Sequence, residues 1–265
     1  FLDELHEEFD KAQGSDTRLR KLLYHIHNLH IFDPACGSGN FLIITYKELR
    51  RLEMKILKQF NELPISGIRL DRFHGIEIDD FAHETAKLSM WLAEHQMNRE
   101  FEEIMGRSVP SLPLGLASNV VQGNACRLDW NEVVKSANGE LAVVGNPPYL
   151  GARIQQKHHK EDMDAVLGRL PKYRDLDYIA CWFFLATKLI RKRNQGAFAF
   201  VSTNSICQGL QVSLLWPHLL CEGVSIAFAH QSFRWINSAK GNAGVTVIVV
   251  GLALDAKNPV LFSNG

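Results

Sequence analysis

The sequence lacks the features that mark several common classes of protein. Its five cysteines are scattered with no C-x-x-C pair, which argues against a zinc site or a disulfide framework and favours a reducing, cytosolic setting. No apolar run is long enough to span a bilayer, and no signal peptide is recognisable. The formal net charge of +0 provides no overall field that would attract a nucleic acid. Any polyanionic partner must therefore meet local basic patches or a part of the protein outside this sequence.

Phosphate-binding and metal-binding motifs are also incomplete. There is no G-K-[ST], which argues against a triphosphate cradle, and the full G-x-G-x-x-G fingerprint is absent. His25, His27 and His30 are close in sequence, but residues 25 and 27 point to different faces of a helix. We therefore predict no metal site.

The length of 265 residues and a hydrophobic content of 46% predict one large α/β domain. Two amphipathic helical patterns, at 2–12 and 17–29, precede it. We therefore predict an N-terminal helical segment over 1–29 and a main domain over 30–265. Because the sequence starts at Phe1 without a methionine, we expect it to be a fragment of a longer protein.

A short strand, a glycine loop and a long helix follow each other near the start of the main domain. The strand 30–32 leads into "DPACGSGNF" at 33–41, and a helical pattern then continues to residue 63, before Pro64. The glycines allow a ligand to approach the backbone closely, and the helix N-terminus offers free N–H groups. This order is typical of the first unit of a nucleotide-binding fold.

An acidic residue closes the second predicted strand, at 72–76. Glu77 follows that strand, and in nucleotide-binding sheets this position hydrogen-bonds ribose hydroxyls. Asp79 or Asp80 can alternatively cap the next helix, predicted over 80–97. The two roles are compatible, with Glu77 on a ligand and one of the aspartates on the cap.

The apolar run at 141–145 predicts a buried strand, and Asn-Pro-Pro-Tyr follows it at 146–149. In open α/β sheets, ligands bind at the carboxyl ends of the strands. Pro147 and Pro148 fix two φ angles and remove two backbone donors, while Asn146 before a proline is biased towards an extended conformation. This stiff loop presents one amide, one bare carbonyl and one aromatic ring, which suits gripping a planar group that carries an NH2.

Two further segments each allow two interpretations. The strand 119–122 ends in Gly123-Asn124-Ala125, where Asn124 either hydrogen-bonds the heterocycle of a ligand or forms a turn. The polar stretch 150–174 lacks apolar periodicity, which predicts either a mobile loop that touches phosphates or a solvated connector. Its basic residues are Arg153, Lys157, His158, His159, Lys160, Arg169, Lys172 and Arg174.

The last third of the sequence alternates strands and helices. Strands are predicted at 197–202, 225–230 and 244–253, with helices at 175–193 and 207–223. Phe233 and Trp235 stand in the polar, glycine-rich loop predicted between the last two strands. A Pro/Gly-rich surface loop is predicted earlier, at 106–117.

Together these segments resemble a class I S-adenosylmethionine-dependent methyltransferase of the DNA adenine-N6 type, over residues 30–254. "DPACGSGNF" is similar to the cofactor motif of that family, "GIEID" to its ribose-binding acid, "GNA" to its cofactor-adenine position and "NPPY" to its catalytic motif. A cofactor motif placed before the catalytic motif is the order of the gamma group. "STNSICQG" and "FRWINSAKGNAGVTVIVVG" resemble the bifunctional restriction–methylation enzymes of types IIG and IIL.

The resemblance implies a Rossmann-like α/β fold with a mostly parallel seven-stranded sheet, an antiparallel late strand and helices on both faces. It implies a cytoplasmic, prokaryotic enzyme that transfers methyl from S-adenosylmethionine to N6 of a flipped adenine in double-stranded DNA. The implied catalytic residues are Asn146, Pro147, Pro148 and Tyr149, with Tyr149 and Phe233 stacking on the base and Trp235 as the reserve for Phe233. The implied cofactor-binding residues are Asp33, Pro34, Ala35, Gly37, Gly39, Phe41, Glu77, Ile78, Asn124 and Ala125.

The chemistry expected of the Asn-Pro-Pro-Tyr loop needs no titrating base. The Asn146 amide oxygen and the Pro147 carbonyl can each accept one hydrogen of adenine N6. They would draw the nitrogen towards tetrahedral geometry and aim its lone pair at the methyl group. Positioning and electrostatics would supply most of the effect.

Some family features are not visible in the sequence. These are the F-x-T-P-like segment before the first strand, the target-recognition domain after the late strands and any endonuclease segment. We therefore expect residues 30–265 to be a catalytic core that meets DNA through a domain absent from this chain. The alternatives are a methyltransferase acting on protein glutamine or on guanine N2 in RNA, since those families also carry Asn-Pro-Pro-Tyr, and a fragment inactive in isolation.

Overall fold

The structure is a computed structural model that describes residues 1–107, 119–235 and 245–263. Its internal contacts divide the chain into two compact units, Phe1–Gln122 with Val133–Glu140, and Gly123–Glu132 with Leu141–Gly265. The surface loop predicted over 106–117 lies almost wholly outside the described residues, as does the 236–244 part of the predicted late loop. No helix within the described ranges is long and apolar enough to cross a membrane.

The described residues of the first unit form three parallel strands, β1 (His30–Asp33), β2 (Phe73–Glu77) and β3 (Asn119–Gln122), with β2 in the middle. All four residues of β1 are buried, and so are the first four of β2. Continuous burial is typical of parallel strands that are covered on both faces. Because the strands run in one direction, β1 and β2 bring the acidic residues at their carboxyl ends to one edge of this sheet.

Within the described part of the first unit, the α-helices are α1 (Leu2–Ala12), α2 (Asp16–Asn28), α3 (Asn40–Leu57) and α4 (Asp80–Met105). α1 has the bounds that its apolar spacing predicts. α3 ends at Leu57 rather than at residue 63. The N–H groups of Gln59 and Phe60 donate to carbonyls three residues earlier, a turn-type bond that does not continue the α-helix. α4 continues past the predicted end at residue 97 until Gly106, whose φ of 68° is left-handed and stops the helix.

The described residues of the second unit form five strands. β4 (Leu141–Gly145) lies parallel to β5 (Ala197–Thr203), and β7 (Val245–Leu254) pairs antiparallel with both β5 and β6 (Val224–Trp235). β7 is therefore the predicted antiparallel late strand. The three-residue β8 (Val260–Phe262) pairs with β6, so the described sheet has eight strands rather than the predicted seven. β8 was not predicted, since a short, exposed strand has no alternating pattern.

The helices of the second unit are α5 (Trp130–Val133), α6 (Lys157–Leu167), α7 (Ala180–Arg193) and α8 (Gly209–Leu219). Helix α6 shows that the prediction of a loop or connector over 150–174 was wrong for its central part. Gln156 and His159 form a capping box at its N-terminus, and its buried residues are Asp162, Met163 and Leu167. The sequence pattern concealed this helix because a charged residue occupies part of its buried face.

Candidate active site

Two glycines shape the loop between β1 and α3. Gly37 has a φ of +54° and Gly39 a φ of +89°, values that L side chains rarely adopt. A Cβ on Gly39 would lie 3.4 Å from the Cβ of Ala86 in α4, so glycine also permits a close approach to that helix. Because α3 begins at Asn40, its first backbone N–H groups are available at the end of this loop.

The glycine loop is anchored to the end of β2. The Cys36 N–H donates to the Ile76 carbonyl at 3.0 Å, and the Gly37 N–H donates to Glu77 Oε2 at 2.8 Å. A Cβ on Gly75 would lie 2.9 Å from Cys36 Sγ, so this glycine makes room for the loop. The structure thus brings together the predicted residues Gly37 and Glu77, which are far apart in sequence.

Glu77 is half-buried and accepts two backbone hydrogen bonds. Besides Gly37, its carboxylate binds the Asp79 N–H, at 2.8 Å from Oε1. A carboxylate has about four lone-pair sites, so Glu77 retains capacity for hydroxyl groups of a ligand. The Asp79 side chain accepts from the Ala82 N–H at 2.8 Å and caps α4, which confirms one of the two predicted caps.

Asp33 at the end of β1 is completely buried, at 0% exposure. Its Oδ1 accepts the Ala35 N–H at 3.0 Å, whereas Oδ2 has no hydrogen-bond partner among the described residues. Burial raises the pKa of Asp33 to about 7, opposed by the Ala35 N–H and reinforced by the nearby Glu77 carboxylate. A buried acceptor without a donor is costly, so a ligand that brings a donor to this site would stabilise it. S-adenosylmethionine carries such donors, its ammonium group and ribose hydroxyls.

The other predicted cofactor residues of the first unit differ in exposure. Pro34 is buried, Ala35 and Phe41 are half-buried, and Ile78 is 66% exposed. A large apolar side chain in water directly after Glu77 is available to pack against the flat ring of a ligand. Cofactor binding by Pro34, Ala35, Phe41 and Ile78 stays a prediction.

The predicted cofactor residue Asn124 lies in a turn of the second unit. Its amide oxygen accepts the Cys126 N–H at 2.9 Å, and its amide nitrogen donates to Asp162 Oδ2 at 2.9 Å. Ala125 is buried, and its carbonyl accepts from Trp130 Nε1 at 2.9 Å. Turn formation, one of the two interpretations left open for Asn124, is therefore present, and cofactor binding stays a prediction.

Asp162 was missed by sequence reasoning. It is 3% exposed, and besides Asn124 it accepts from Arg127 Nε at 2.6 Å and from the Tyr178 hydroxyl at 2.8 Å. Burial would raise its pKa, but the hydrogen bonds from Asn124, Arg127 and Tyr178 lower the pKa overall. No local signal marked Asp162, because its partners Asn124, Arg127 and Tyr178 come from other segments of the chain.

The Asn-Pro-Pro-Tyr loop directly follows β4, as predicted. The Asn146 and Pro148 side chains are exposed, Pro147 is buried and Tyr149 is half-buried. The loop ends at a strongly bound residue, since the Leu150 N–H donates to Asp177 Oδ1 at 2.8 Å. The exposed amide and the half-exposed ring are therefore carried by a loop that is fixed at both ends.

Phe233 lies in a strand, which corrects the prediction that it stands in a loop. β6 continues past His230 through a register shift and pairs Phe233 with Val247 and Trp235 with Val245. A bulge of this kind is invisible to alternation patterns, because it changes the face on which later side chains fall. Phe233 is half-buried, and its stacking role stays a prediction.

The three clustered histidines contact different partners. His25 Nε2 lies 3.0 Å from Glu140 Oε2, and His27 Nε2 lies 2.7 Å from Glu53 Oε1. His30, in β1, stacks on His74 with ring centroids 5.5 Å apart. The described ranges contain no group of three or more His, Cys, Asp or Glu that could hold a metal ion.

The parallel strands, the glycine loop with its acid and the Asn-Pro-Pro-Tyr loop define a class I methyltransferase fold. A solved structure of a type I restriction-modification system methyltransferase subunit from Streptococcus thermophilus shares this fold. It has 15% identity and a TM-score of 0.53, and the match covers 95% of this chain and 44% of that chain.

The chain belongs to the family described as "MmeI, DNA-methyltransferase domain", whose profile matches residues 9–263. It is 48% identical over 271 residues to DNA methyltransferase A of Bacillus subtilis (strain 168), covering 99% of this chain and 31% of that protein. The structure of the Type IIL restriction-modification enzyme MmeI in complex with DNA matches with 38% identity and a TM-score of 0.91. That match covers 100% of this chain and 36% of the MmeI chain, so the chain spans about a third of these relatives.

Proposed function

We propose that this chain transfers a methyl group from S-adenosylmethionine to N6 of a flipped adenine in double-stranded DNA, as part of a restriction–modification enzyme. The observation that carries the proposal is the Asn146–Tyr149 loop at the carboxyl end of β4, with its exposed amide, in a chain of a DNA-methyltransferase family. Contact with DNA is assigned to a target-recognition domain outside this chain.

Asn146 and Pro147 would orient the amino group that accepts the methyl. The lone pair of adenine N6 is delocalised into the ring, so the free amine is a poor nucleophile. Hydrogen bonds from N6 to the Asn146 amide oxygen and the Pro147 carbonyl favour a tetrahedral nitrogen with a directed lone pair. The two prolines limit the freedom of these acceptors, so little entropy is lost when the base is bound.

Tyr149 would support the base once it has left the duplex. Flipping costs a few kcal/mol, which stacking on an aromatic ring offsets by roughly 1–3 kcal/mol. Tyr149 is half-buried, so one part of its ring is packed while another part remains accessible. Phe233 is the proposed partner on the opposite face of the base.

S-adenosylmethionine, when bound, supplies an electrophilic methyl on a sulfonium ion. The Glu77 carboxylate would accept hydrogen bonds from its ribose hydroxyls, and the glycine loop would let its backbone approach closely. The unpartnered Oδ2 of Asp33 fits a cofactor with hydrogen-bond donors. The remaining predicted cofactor residues are Pro34, Ala35, Phe41, Ile78, Asn124 and Ala125.

The test is methyl incorporation by the whole protein from labelled S-adenosylmethionine into duplex DNA, RNA and a glutamine-containing peptide. We expect label in duplex DNA, recovered as N6-methyl-2′-deoxyadenosine after digestion to nucleosides. Label in RNA guanine or in the peptide instead of DNA would replace the proposal with one of the alternative methyltransferases. Absence of label from all three would contradict a catalytic role.

A further inference from the structure

We propose that Asp177 is a positioning residue that holds the Asn146–Tyr149 loop in its working geometry. The proposal rests on the proposed function of that loop and extends it to a residue outside the motif. Asp177 lies in the second unit with the loop, in the segment between α6 and α7.

The loop needs external support because of its own composition. Pro147 and Pro148 have no N–H, so neither can donate a hydrogen bond that would close the loop on itself. Leu150, the residue after Tyr149, has both its backbone N–H and its carbonyl in hydrogen bonds. The Leu150 N–H donates to Asp177 Oδ1 at 2.8 Å, and the Leu150 carbonyl accepts from the Tyr178 N–H at 3.0 Å.

A second side chain completes this contact. Gln155 is 7% exposed, and its Nε2 donates to the Leu150 carbonyl at 2.9 Å and to the Leu176 carbonyl at 3.0 Å. The end of the loop is thus tied to the 176–178 segment from both sides. A shift of Asp177 would be transmitted to Tyr149 through a single peptide unit.

Asp177 is itself held firmly. It is 6% exposed, and its Oδ1 also accepts the Ile179 N–H at 3.2 Å. Its own N–H donates to Gln211 Oε1 at 3.0 Å, and Gln211 Nε2 donates to the Asp175 carbonyl at 2.9 Å. Gln211 lies in the first turn of α8, so the backbone of Asp177 is held against a helix of the same unit.

Asp177 contacts the loop as a hydrogen-bond acceptor, because its Oδ1 accepts the Leu150 and Ile179 N–H groups. Burial raises the pKa of Asp177, and the backbone N–H groups of Leu150, Ile179 and Tyr178 oppose this effect. An asparagine in this position keeps an acceptor oxygen for the Leu150 N–H. The conservative variant is therefore expected to preserve the geometry that the alanine variant loses.

The experiment compares Asp177→Ala and Asp177→Asn in the whole protein, with Asp175→Ala as the matched control. Asp175 is exposed in the preceding turn, and only its backbone contacts Gln211. We expect Asp177→Ala to lower kcat for DNA methylation by about 10²-fold, the size typical of a misplacement of about 1 Å. The KM for S-adenosylmethionine stays unchanged, and Asp177→Asn retains most of kcat.

Hydrogen exchange of the Leu150 amide provides a readout that is independent of activity. We expect faster exchange in Asp177→Ala and protection in Asp177→Asn and in the control. Unchanged exchange together with unchanged kcat in Asp177→Ala would overturn the proposal, as would an equal loss of kcat in Asp177→Asn and Asp177→Ala.

Two cases need a second measurement: failure of Asp177→Ala to fold, and absence of methylation by the wild type. If Asp177→Ala does not fold, Gln211→Leu loosens Asp177 without removing it, and should raise Leu150 exchange and lower kcat to a smaller extent. If the wild type methylates none of the substrates, the proposed function fails. Leu150 exchange in the Asp177 variants then still decides whether Asp177 holds the loop.

Discussion

The loop after β1 and the loop after β4 are built in opposite ways but are held alike. The first contains two left-handed glycines, and the second contains two consecutive prolines. In each, one backbone N–H donates to a carboxylate from a later segment at 2.8 Å, Gly37 to Glu77 and Leu150 to Asp177. A carboxylate can therefore fix either an adaptable loop or a stiff one.

The difference between the two carboxylates indicates different tasks. Glu77 is half-buried and keeps acceptor capacity, whereas Asp177 is only 6% exposed and is surrounded by backbone donors. We infer that the glycine loop and its acid serve a ligand directly, while Asp177 serves only the loop that it holds. Variants that separate the two tasks test this comparison.

The largest effect is expected from Asn146→Ala. Without the amide oxygen one acceptor for the amino group is lost, and methyl transfer should fall by at least about 10²–10³-fold. The affinity for S-adenosylmethionine should be retained, because Asn146 is not among the proposed cofactor-binding residues. Methylation assays and calorimetry on the whole protein check this, with the exposed Asn138→Ala as control. Near wild-type methylation would remove Asn146 from the catalytic role.

Asp33→Asn should reduce, by a few kcal/mol, the amount by which the free energy of unfolding changes with pH. The pKa of Asp33 in the folded state, about 7, lies above its value in the unfolded chain. The stabilisation that the protonated Asp33 gives the folded state is therefore complete below about pH 4 and is lost as the pH rises through about 7. Asparagine does not titrate, so the free energy of unfolding of the variant should fall less between about pH 5 and 8. Urea unfolding at both pH values measures this. Parallel curves for the two proteins would show that Asp33 is ionised in the folded state.

Glu77→Ala should weaken S-adenosylmethionine binding by roughly 10- to 150-fold, since hydrogen bonds to a charged group are worth about 1.5–3 kcal/mol. Calorimetric titration measures the affinity, and thermal unfolding shows how much the glycine loop is loosened. Asp80→Ala, at an exposed position in the first turn of α4, is the control. Unchanged affinity would exclude Glu77 from the cofactor site.

The smallest effect is expected from Tyr149→Ala. Loss of one stacking contact should cost about 1–3 kcal/mol in the binding of the flipped base and raise the KM for DNA accordingly. Tyr149→Phe keeps the ring and should behave like the wild type. Equal values for the alanine and phenylalanine variants would show that the ring does not stack on the base.

Local patterns predicted several elements with the bounds that the structure has. α1, β3 and β4 match because their apolar spacing is regular and polar, glycine or proline residues bound them. α6 was missed because its buried Asp162 breaks the apolar spacing, and its partners Asn124 and Tyr178 are distant in sequence. The strand character of Phe233 was missed because pairing with Val247 resumes beyond a bulge.

The sequence by itself determined the motifs and their order, which was enough to predict the fold class and the methyltransferase family. Glycine, proline and apolar spacing act within a few residues, so they can be read directly from the chain. Only the tertiary structure decided how the loops are held, through Glu77, Asp162 and Asp177. A carboxylate takes its burial and its hydrogen-bond partners from segments that folding brings together, and no local pattern encodes those partners.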